Sequence, residues 1–378
     1  MTAPVQAAPA ADAQWILQAR EAVLASRAKI GTLRIEGHGS KHFYGQLPAG
    51  DGVLHTAGYA GIVNHDPTEL VVVARAGTPI ESLEATLAQA QQRLAFEPPR
   101  FGGALAGRGT VGGMVATGLS GPGRFSAGPC RDFILGMTVM DAEGQLLRYG
   151  GTVMKNVAGY DVSRLHTGAM GILGLILDVA IKVLPEPAAT ATVALSLDET
   201  AALERVNAWS AEPLPLSATA WTPRDGGCLW LRFSGAAAAV TAAVERFGHE
   251  LPAAQADALW VSLRDQTDPA FALPPNGGSL WRISLPTRAA VFPIGVTVLT
   301  EWGGGLRWVQ SADRPEDIRA AAMGLGGHAT LYRSACDQLR GEGVFTPVSP
   351  VLGGIHQRLK AELDPTGLWN PGRLMPGL

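Results

Sequence analysis

The segment GGTVMKNVAGYDVSRLHTGAMGILGLILDVAIKVLPEP, residues 150–187, joins a polar stretch to regularly spaced glycines and an apolar run. Gly168, Gly171 and Gly174 recur every three residues, but glycine is a poor interior residue for a helix. We therefore interpret them as a loop in which the backbone approaches another group closely. The apolar run LGLILDVAIKVLPEP predicts a buried strand that ends at its two prolines.

The bulk composition sets the class of protein. A chain of 378 residues is long for one core, so we expect two domains. With 47% hydrophobic and 17% charged residues, the chain can bury a sizeable core. Its net charge of −3 does not indicate binding to nucleic acid or to a membrane surface.

The cysteines and the N-terminal residues exclude further classes of protein. Cys130, Cys228 and Cys336 are far apart and offer neither an iron–sulfur spacing nor a disulfide framework. Residues 1–14 lack a basic start and a long apolar core, so we interpret them as a disordered lead rather than a signal peptide. No apolar run reaches the roughly 18 residues of a membrane-spanning helix.

The pattern of apolar residues divides the chain into segments. Residues 15–187 contain strands, turns and helices around glycine-rich clusters, including a hairpin predicted in FILGMTVMDAEGQLLRYG. Residues 188–345 hold seven of the nine tryptophans and alternate strand-like with helical runs. They predict a second α+β domain with an antiparallel sheet, whose core the tryptophans fill. Residues 346–378 predict a helix and an extended tail.

Three glycine-rich polar clusters lie within residues 37–174: GHGSKHFYG at 37–45, GRGTVGGMVATGLSGPG at 107–123, and the segment quoted first. Successive backbone N–H groups in such turns form anion sites, and glycine permits close approach. Three clusters suit a long dinucleotide better than a mononucleotide. Lys41, Lys155 and Lys182 lie in or beside them and suit a diphosphate. Ordinary glycine turns remain the alternative.

One motif points elsewhere. GRGTVG at 107–112 matches the GxGxxG dinucleotide fingerprint, and Asp132 follows 20 residues later. The preceding residues, AFEPPRFGGA, contain two prolines and predict no buried strand. Since the fingerprint works only between a strand and a helix, we reject a nicotinamide-binding site here.

Together these motifs resemble the flavin-binding fold shared by vanillyl-alcohol oxidase and p-cresol methylhydroxylase. GHGSKHFYG is similar to that family's diphosphate loop, TVGGMVATGLSG to its Gly-Gly segment beside the flavin, and LDPTGLWNPG to its closing motif. GAMGILGLILDVAIKVLP resembles its Gly-x-x-Gly-x-x-Gly strand. The resemblance implies an α+β protein, with a two-subdomain FAD-binding domain of the p-cresol methylhydroxylase type and a smaller α+β cap domain with an antiparallel sheet.

The resemblance also implies a set of cofactor contacts. In some relatives a loop histidine carries the flavin covalently, but a single His38 in a phosphate-binding loop favours non-covalent FAD. Asn156, Tyr160 and Asp161 either line the flavin or hydrogen-bond within their own turn. The implied FAD-binding residues are Gly37, His38, Gly39, Ser40, Lys41, Gly109, Thr110, Gly112, Gly113, Gly118, Ser120, Gly121, Gly171, Gly174, Ile176 and Asn370.

Within the family, the chain most resembles the smaller flavin subunits of bacterial glycolate oxidases, densely over 15–187 and moderately over its last 30 residues. This implies membrane-associated oxidation of the 2-hydroxy acid glycolate to glyoxylate. The implied partners are a larger FAD-binding subunit and an iron–sulfur subunit, with the chain cytoplasmic or peripheral at the inner membrane through them. The alternatives are a non-catalytic structural subunit that retains the flavin fold, and a self-sufficient FAD-dependent alcohol or sugar oxidase.

A departure from the family bears on catalysis. The larger, catalytic relatives carry Gly-Asp-Gly-Asn-x-His and Glu-His-Gly motifs for substrate and metal, and neither occurs in this sequence. The corresponding strand, GGHATLYR, offers His328 and Arg333 as candidates for binding a carboxylate. The alternative for His328 is a strand histidine packed on the sheet. We therefore predict no metal site and doubt substrate oxidation by this chain alone.

Overall fold

The computed structural model describes residues 10–47, 49–102, 105, 107, 109–152, 161–275 and 277–378. The interpretations of Lys155, Asn156 and Tyr160 lie outside these residues. The strands are Leu33–Glu36 (β1), Gly52–His55 (β2), Ile62–Asp66 (β3), Val71–Arg75 (β4), Gln92–Arg93 (β5), Ile134–Met140 (β6), Leu146–Gly150 (β7), Leu175–Lys182 (β8), Leu184–Pro185 (β9), Ala189–Ser196 (β10), Leu216–Thr222 (β11), Cys228–Gly235 (β12), Ser279–Ser284 (β13), Val296–Glu301 (β14), Leu306–Ser311 (β15) and His328–Ser334 (β16). The helices are Ala10–Ala28 (α1), Ile80–Gln89 (α2), Val111–Thr117 (α3), Arg124–Ala127 (α4), Val162–His166 (α5), Glu199–Trp209 (α6), Ala237–Phe247 (α7), Ala253–Arg264 (α8), Pro315–Gly324 (α9), Asp337–Gly341 (α10) and Pro350–Leu363 (α11).

The first half of the described chain builds a five-stranded antiparallel sheet in the order β3-β4-β8-β6-β7. The predicted hairpin forms β6 and β7. The predicted apolar strand is β8, which is buried along most of its length because it lies at the centre of this sheet. Helices α2 and α3 cover one face through apolar side chains such as Leu83 and Met114. Their burial is the main source of stability in this part of the fold.

A smaller unit joins the two ends of the chain. Strands β1 and β2 pair in parallel, and α1 packs on them. The C-terminal segment returns here, because Leu33 N–H donates to Leu368 O at 2.7 Å and Trp369 is fully buried in the same core. The predicted closing motif is therefore part of this small sheet's core.

The second half of the described chain forms a seven-stranded antiparallel sheet in the order β10-β12-β11-β14-β15-β13-β16. The α+β prediction with antiparallel sheets is confirmed. Trp221, Trp260, Trp281, Trp302 and Trp308 are buried, as predicted from the tryptophan-rich composition. The predicted division at 187 and 188 falls between this sheet and the five-stranded one, and it stays an interpretation.

One local prediction is wrong. Helix α1 begins at Ala10, so the final residues of the lead predicted to be disordered are helical. Helix α2 ends at Gln89, and residues 92–93 then pair with the segment 184–185. The described residues between β5 and α3 form no strand, which agrees with the rejection of a nicotinamide site at GRGTVG.

Polar contacts connect the seven-stranded sheet with the first half of the chain. Trp302 Nε1 donates to Gly121 O at 3.0 Å, and Arg232 forms an ion pair of 2.8 Å with Glu97. Both contacts are largely buried, and the first holds Trp302 against the glycine-rich segment 107–123. Of the helices in the described part of the chain, none combines the length and apolar character needed to cross a bilayer.

Candidate functional site

A partly open cleft lies where the first two glycine clusters meet the third. The loop 37–42, the start of α3 and the segment 170–176 form its walls. Its lining residues are Ile35, Glu36, Gly37, His38, Gly39, Ser40, Lys41, His42, Thr56, Ala76, Thr110, Gly112, Gly113, Ala116, Thr117, Met170, Gly171, Gly174, Ile176, Asn370 and Arg373.

The first wall depends on a close approach between two loops. A Cβ on Gly37 would lie 2.7 Å from Thr110 Oγ1, which is closer than a real Cβ tolerates. The position of Thr110 is fixed by its role as the N-cap of α3, in which Thr110 Oγ1 accepts a hydrogen bond from Gly113 N at 3.2 Å. Glycine at 37 therefore lets the loop lie directly against the start of the helix.

The third glycine cluster forms the loop that its spacing predicts. Gly168, Gly171 and Gly174 have φ angles of +86°, +72° and +148°, which L side chains rarely adopt. A Cβ on Gly171 would lie 2.7 Å from Asn370 Nδ2. The group that this backbone approaches is thus the C-terminal segment. Asn370 Nδ2 donates to Met170 O at 2.8 Å, and Asn370 Oδ1 accepts from Ile35 N at 2.7 Å.

Lys41 brings a buried positive charge to the cleft. Its side chain is 9% exposed, and its Nζ donates to Ser40 Oγ at 3.2 Å. Burial lowers the pKa of Lys41 to about 8, and no charged group among the described residues offsets that effect. A Cβ on Gly113 would lie 3.6 Å from Lys41 Nζ, so glycine keeps the space beside the ammonium open. An unpaired buried cation is costly unless an anion joins it.

Two arginines hold the loop that carries Lys41. Arg373 donates to Lys41 O at 2.9 Å and to Tyr44 O at 2.6 Å, and Arg340 donates to His42 O at 2.7 Å. Burial, aided by Arg340 and Arg34, lowers the pKa of Arg373 to about 10, at which Arg373 still stays charged near neutral pH. These guanidiniums add positive potential at the cleft. Arg373 was not predicted from sequence, although a basic residue three positions after Asn370, following Pro-Gly, was a usable signal.

The structure brings twelve of the sixteen predicted cofactor contacts together around the cleft: Gly37, His38, Gly39, Ser40, Lys41, Thr110, Gly112, Gly113, Gly171, Gly174, Ile176 and Asn370. The other four, Gly109, Gly118, Ser120 and Gly121, are not among the cleft's lining residues. Gly112 lines the cleft, but a Cβ there would lie 2.8 Å from Ala76 Cβ. Glycine at 112 is therefore required for packing α3 on the sheet.

The four predicted residues away from the cleft support its walls. Gly109 O accepts from Ile80 N at 3.0 Å at the start of α2. Gly118 ends α3 with a φ of +60°. Ser120 Oγ accepts from Cys130 N at 3.1 Å, and a Cβ on Gly121 would lie 2.4 Å from Glu97 O. Close packing explains these residues without a ligand.

The structure does not bring His328 and Arg333 together. They lie five residues apart on β16, roughly 16 Å along an extended strand. Arg333 instead packs over the Phe43 ring at 4.9 Å. The cation beside His328 is Arg282. Ser284 pairs with His328, and Arg282 pairs with Thr330, which lies on the same face of β16 as His328. Partial desolvation and Arg282 lower the pKa of His328.

The cleft has the chemistry that a dinucleotide needs. It combines glycine-rich backbone with open space beside Lys41, a buried lysine that has no acidic partner among the described residues, and apolar side chains such as Ile176 and Met170. A diphosphate fits the first two features, and a planar ring system fits the third. No group of three or more His, Cys, Asp or Glu side chains within the described ranges is arranged to hold a metal ion.

Known proteins share both the sequence and the fold. Residues 16–164 match the family described as FAD binding domain. The chain is 43% identical over 342 residues to the glycolate oxidase subunit GlcE of Escherichia coli (strain K12), which covers 90% of this chain and 92% of that protein. It is 37% identical over 78 residues to the glycolate oxidase subunit GlcD of Bacillus subtilis (strain 168), covering 21% of this chain and 17% of that protein.

Solved structures show the same fold at low identity. The 4-ethylphenol oxidase from Gulosibacter chungangensis, in its isoeugenol complex, superposes with a TM-score of 0.68 at 14% identity, over 96% of this chain and 88% of that one. Alkyldihydroxyacetonephosphate synthase gives 0.62 at 14% identity, over 94% and 74%. These structures show the p-cresol methylhydroxylase type of fold, and the sequence matches show that this chain is an FAD-binding oxidoreductase of that type. Within that class, the chain belongs to the family of the glycolate oxidase subunit GlcE. The predictions of fold class and of FAD as the cofactor are confirmed.

Proposed function

We propose that this chain is the FAD-binding subunit of a complex that oxidises glycolate to glyoxylate. The observation that carries the proposal is the 43% identity to GlcE across 90% of the chain. In this reaction the substrate loses two electrons and two protons, and FAD, when bound, is the electron acceptor. The partners in the proposal are a larger FAD-binding subunit and an iron–sulfur subunit that takes the electrons onward.

The cleft residues divide the work of holding FAD in this proposal. Lys41 supplies the charge for the diphosphate, and Gly113 leaves room for it. Gly37 and Gly171 let two walls of the cleft pack closely against Thr110 and Asn370, which shapes the space for the cofactor. Arg373 acts through the loop, because its hydrogen bonds to carbonyl oxygens set where Lys41 lies.

The cysteine content supports a need for partners. Cys130, Cys228 and Cys336 are all free, and Cys130 is buried. An iron–sulfur cluster takes several cysteine ligands in a compact arrangement, which three separated cysteines do not supply. Electrons that leave the flavin therefore need another protein or a diffusible acceptor. The proposed location is the cytoplasm or the inner membrane's surface, reached through the partners.

Cell extracts provide the test of this function. The tagged chain, produced together with the two proposed partner subunits, should bring down a larger flavoprotein and bound iron. The captured complex should reduce a dye acceptor when glycolate is added. Isolation of the chain without these subunits, or a captured complex that is inert towards glycolate, would rule the proposal out.

FAD affinity should depend on pH through Lys41. The diphosphate favours protonated Lys41, whereas the free chain loses that proton above its pKa of about 8. The affinity for FAD is therefore highest below about pH 8 and falls as the pH rises through this pKa. The expected loss is about tenfold between about pH 7 and about pH 9. Equilibrium titration with FAD measures this. The Lys41→Met variant should bind more weakly at neutral pH and show no such slope, while the exposed control Lys29→Met should match the wild type.

The flavin should be non-covalent. His38 lies in the phosphate-side loop of the cleft, where a donor to an anion explains its presence. Acid precipitation of the purified chain should therefore leave the yellow colour in the supernatant. A yellow pellet whose colour disappears in the His38→Ala variant would instead show a covalent bond to this histidine.

A further inference from the structure

Two partly buried arginines meet at Trp302, where the seven-stranded sheet contacts the first half of the chain. The Arg124 guanidinium carbon lies 4.6 Å from the Trp302 ring centroid, and that of Arg282 lies 5.2 Å from it. Arg124 comes from α4, which follows the second glycine cluster, and Arg282 comes from β13. The cluster is thus assembled from both halves of the fold.

Neither guanidinium has a hydrogen-bond or ion-pair partner among the residues that the structure describes, and the undescribed residues include no Asp or Glu. Arg282 acts electrostatically on Glu301, and burial raises the pKa of Glu301 to about 7. The Oε2 atom of Glu301 already accepts a hydrogen bond from Trp308 Nε1 at 2.8 Å. Asp132 acts electrostatically on Arg124. Neither acid forms an ion pair with these two guanidiniums.

The backbone at Trp302 is held in an uncommon conformation. Trp302 has a φ of +53°, which is unfavourable for a bulky side chain. Two contacts maintain it: Trp302 Nε1 donates to Gly121 O at 3.0 Å, and the N–H of Gly303 donates to Thr219 Oγ1 at 2.8 Å. Strained residues that the surroundings hold in place concentrate at functional sites.

The register of the sheet places Arg282 on the same face as Trp308. Arg282 pairs with Trp308 on one side and Thr330 on the other. Trp308 belongs to an apolar cluster that also contains Tyr44 and Met170, and Met170 lines the cleft. Arg282 therefore lies on the sheet face whose apolar cluster reaches Met170 in the cleft wall, and Arg124 meets Arg282 at Trp302.

We propose that Arg124 and Arg282 bind the carboxylate of a small hydroxy or keto acid, the substrate or product of the reaction. The identity of that acid rests on the proposed function. Guanidinium groups match a carboxylate through paired N–H donors, and these two guanidiniums meet at the Trp302 ring.

The experiment measures binding without turnover. Oxalate is the probe, since it carries carboxylates but has no C–H bond from which hydride could leave. Calorimetric titration of the FAD-loaded chain, in low-chloride buffer, should show one oxalate site. Arg124→Gln and Arg282→Gln should each weaken that binding by about tenfold or more, with the FAD content unchanged. Arg314→Gln, on an exposed helix start, is the matched control and should bind as the wild type does.

Three results would overturn the assignment. The wild type could fail to bind oxalate, or both glutamine variants could bind it with unchanged affinity. Loss of FAD from Arg282→Gln would instead make this arginine a flavin contact. Inorganic phosphate bound as tightly as oxalate would show a general anion site instead. If the glutamine variants do not fold, Arg282→Lys is the substitute, because lysine keeps the charge but lacks the paired N–H donors of a guanidinium. Unaltered oxalate affinity in Arg282→Lys would also contradict the proposal. Oxalate binding that persists while the assembled complex fails to oxidise glycolate would refute only the proposed function.

Discussion

Replacing Lys360 by methionine is expected to lower the free energy of unfolding by about 3–5 kcal/mol, the usual cost of breaking a buried ion pair from one side. Lys360 Nζ donates to Asp364 Oδ2 and to Ile172 O, both at 2.6 Å, and to Trp369 O at 3.0 Å. Asp364 is 1% exposed. The variant would leave this carboxylate buried without its cation and two carbonyl oxygens without their donor.

The same substitution should weaken FAD binding. Asp364 accepts hydrogen bonds from Leu368 N at 3.0 Å and Trp369 N at 2.8 Å, which shapes the turn before Asn370. Because Asn370 ties the glycine loop to β1, a loosened turn moves a wall of the cleft. Urea unfolding of the FAD-loaded and FAD-free chain measures both effects. The exposed Lys29→Met variant is the control, and a loss below about 1 kcal/mol in Lys360→Met would contradict the role given to this pair.

The features that sequence predicted are those that local physics determines. The hairpin β6–β7 and the buried strand β8 follow from short apolar runs with turn residues between them. The glycine clusters were recognisable because a positive φ or a close approach requires glycine, whatever lies on the other side. That is why most of the predicted contacts meet at one cleft, although their neighbours were unknown.

The residues that sequence missed depend on partners far along the chain. Arg373 is separated by 332 positions from Lys41, whose carbonyl it holds, and Lys360 by 188 from Ile172. Helical spacing does not mark Lys360 as buried, since a lysine at the end of a helix is usually exposed. Arg333 was predicted beside His328 because the two lie close in sequence, whereas strand pairing, which brings Arg282 near His328, decides which side chains are neighbours on a sheet.

The purified chain alone should oxidise glycolate poorly. After anaerobic mixing with glycolate, we expect its flavin to be reduced about 10²–10⁴-fold more slowly than in the assembled complex, the typical cost of a missing general base. Binding of the carboxylate by Arg282 and Arg124 would not change this expectation. The hydroxyl proton of the substrate also needs an acceptor, and a bound acid without one is held but not oxidised.

The described residues near Arg282 do not supply a well-placed acceptor. Glu301 is buried, and its Oε2 is engaged by Trp308. Tyr332 donates its hydroxyl to Gln266 Oε1 at 2.8 Å, and burial raises the pKa of Tyr332. His328 has a lowered pKa and is neutral at pH 7, but it lies exposed at the start of β16 and no described side chain orients it.

Stopped-flow absorbance of the FAD-loaded chain, mixed with glycolate without oxygen, decides between a subunit and a self-sufficient oxidase. The flavin band should persist for minutes, while dithionite should bleach it at once and show that the cofactor is reducible. Adding the larger flavin subunit and the iron–sulfur subunit should then allow glycolate to drive turnover. Bleaching within seconds by glycolate alone would show a complete active site in this chain.

In that case the His328→Gln variant identifies the base. If bleaching stops in that variant, the exposed histidine takes the substrate proton, and if bleaching continues, another group does.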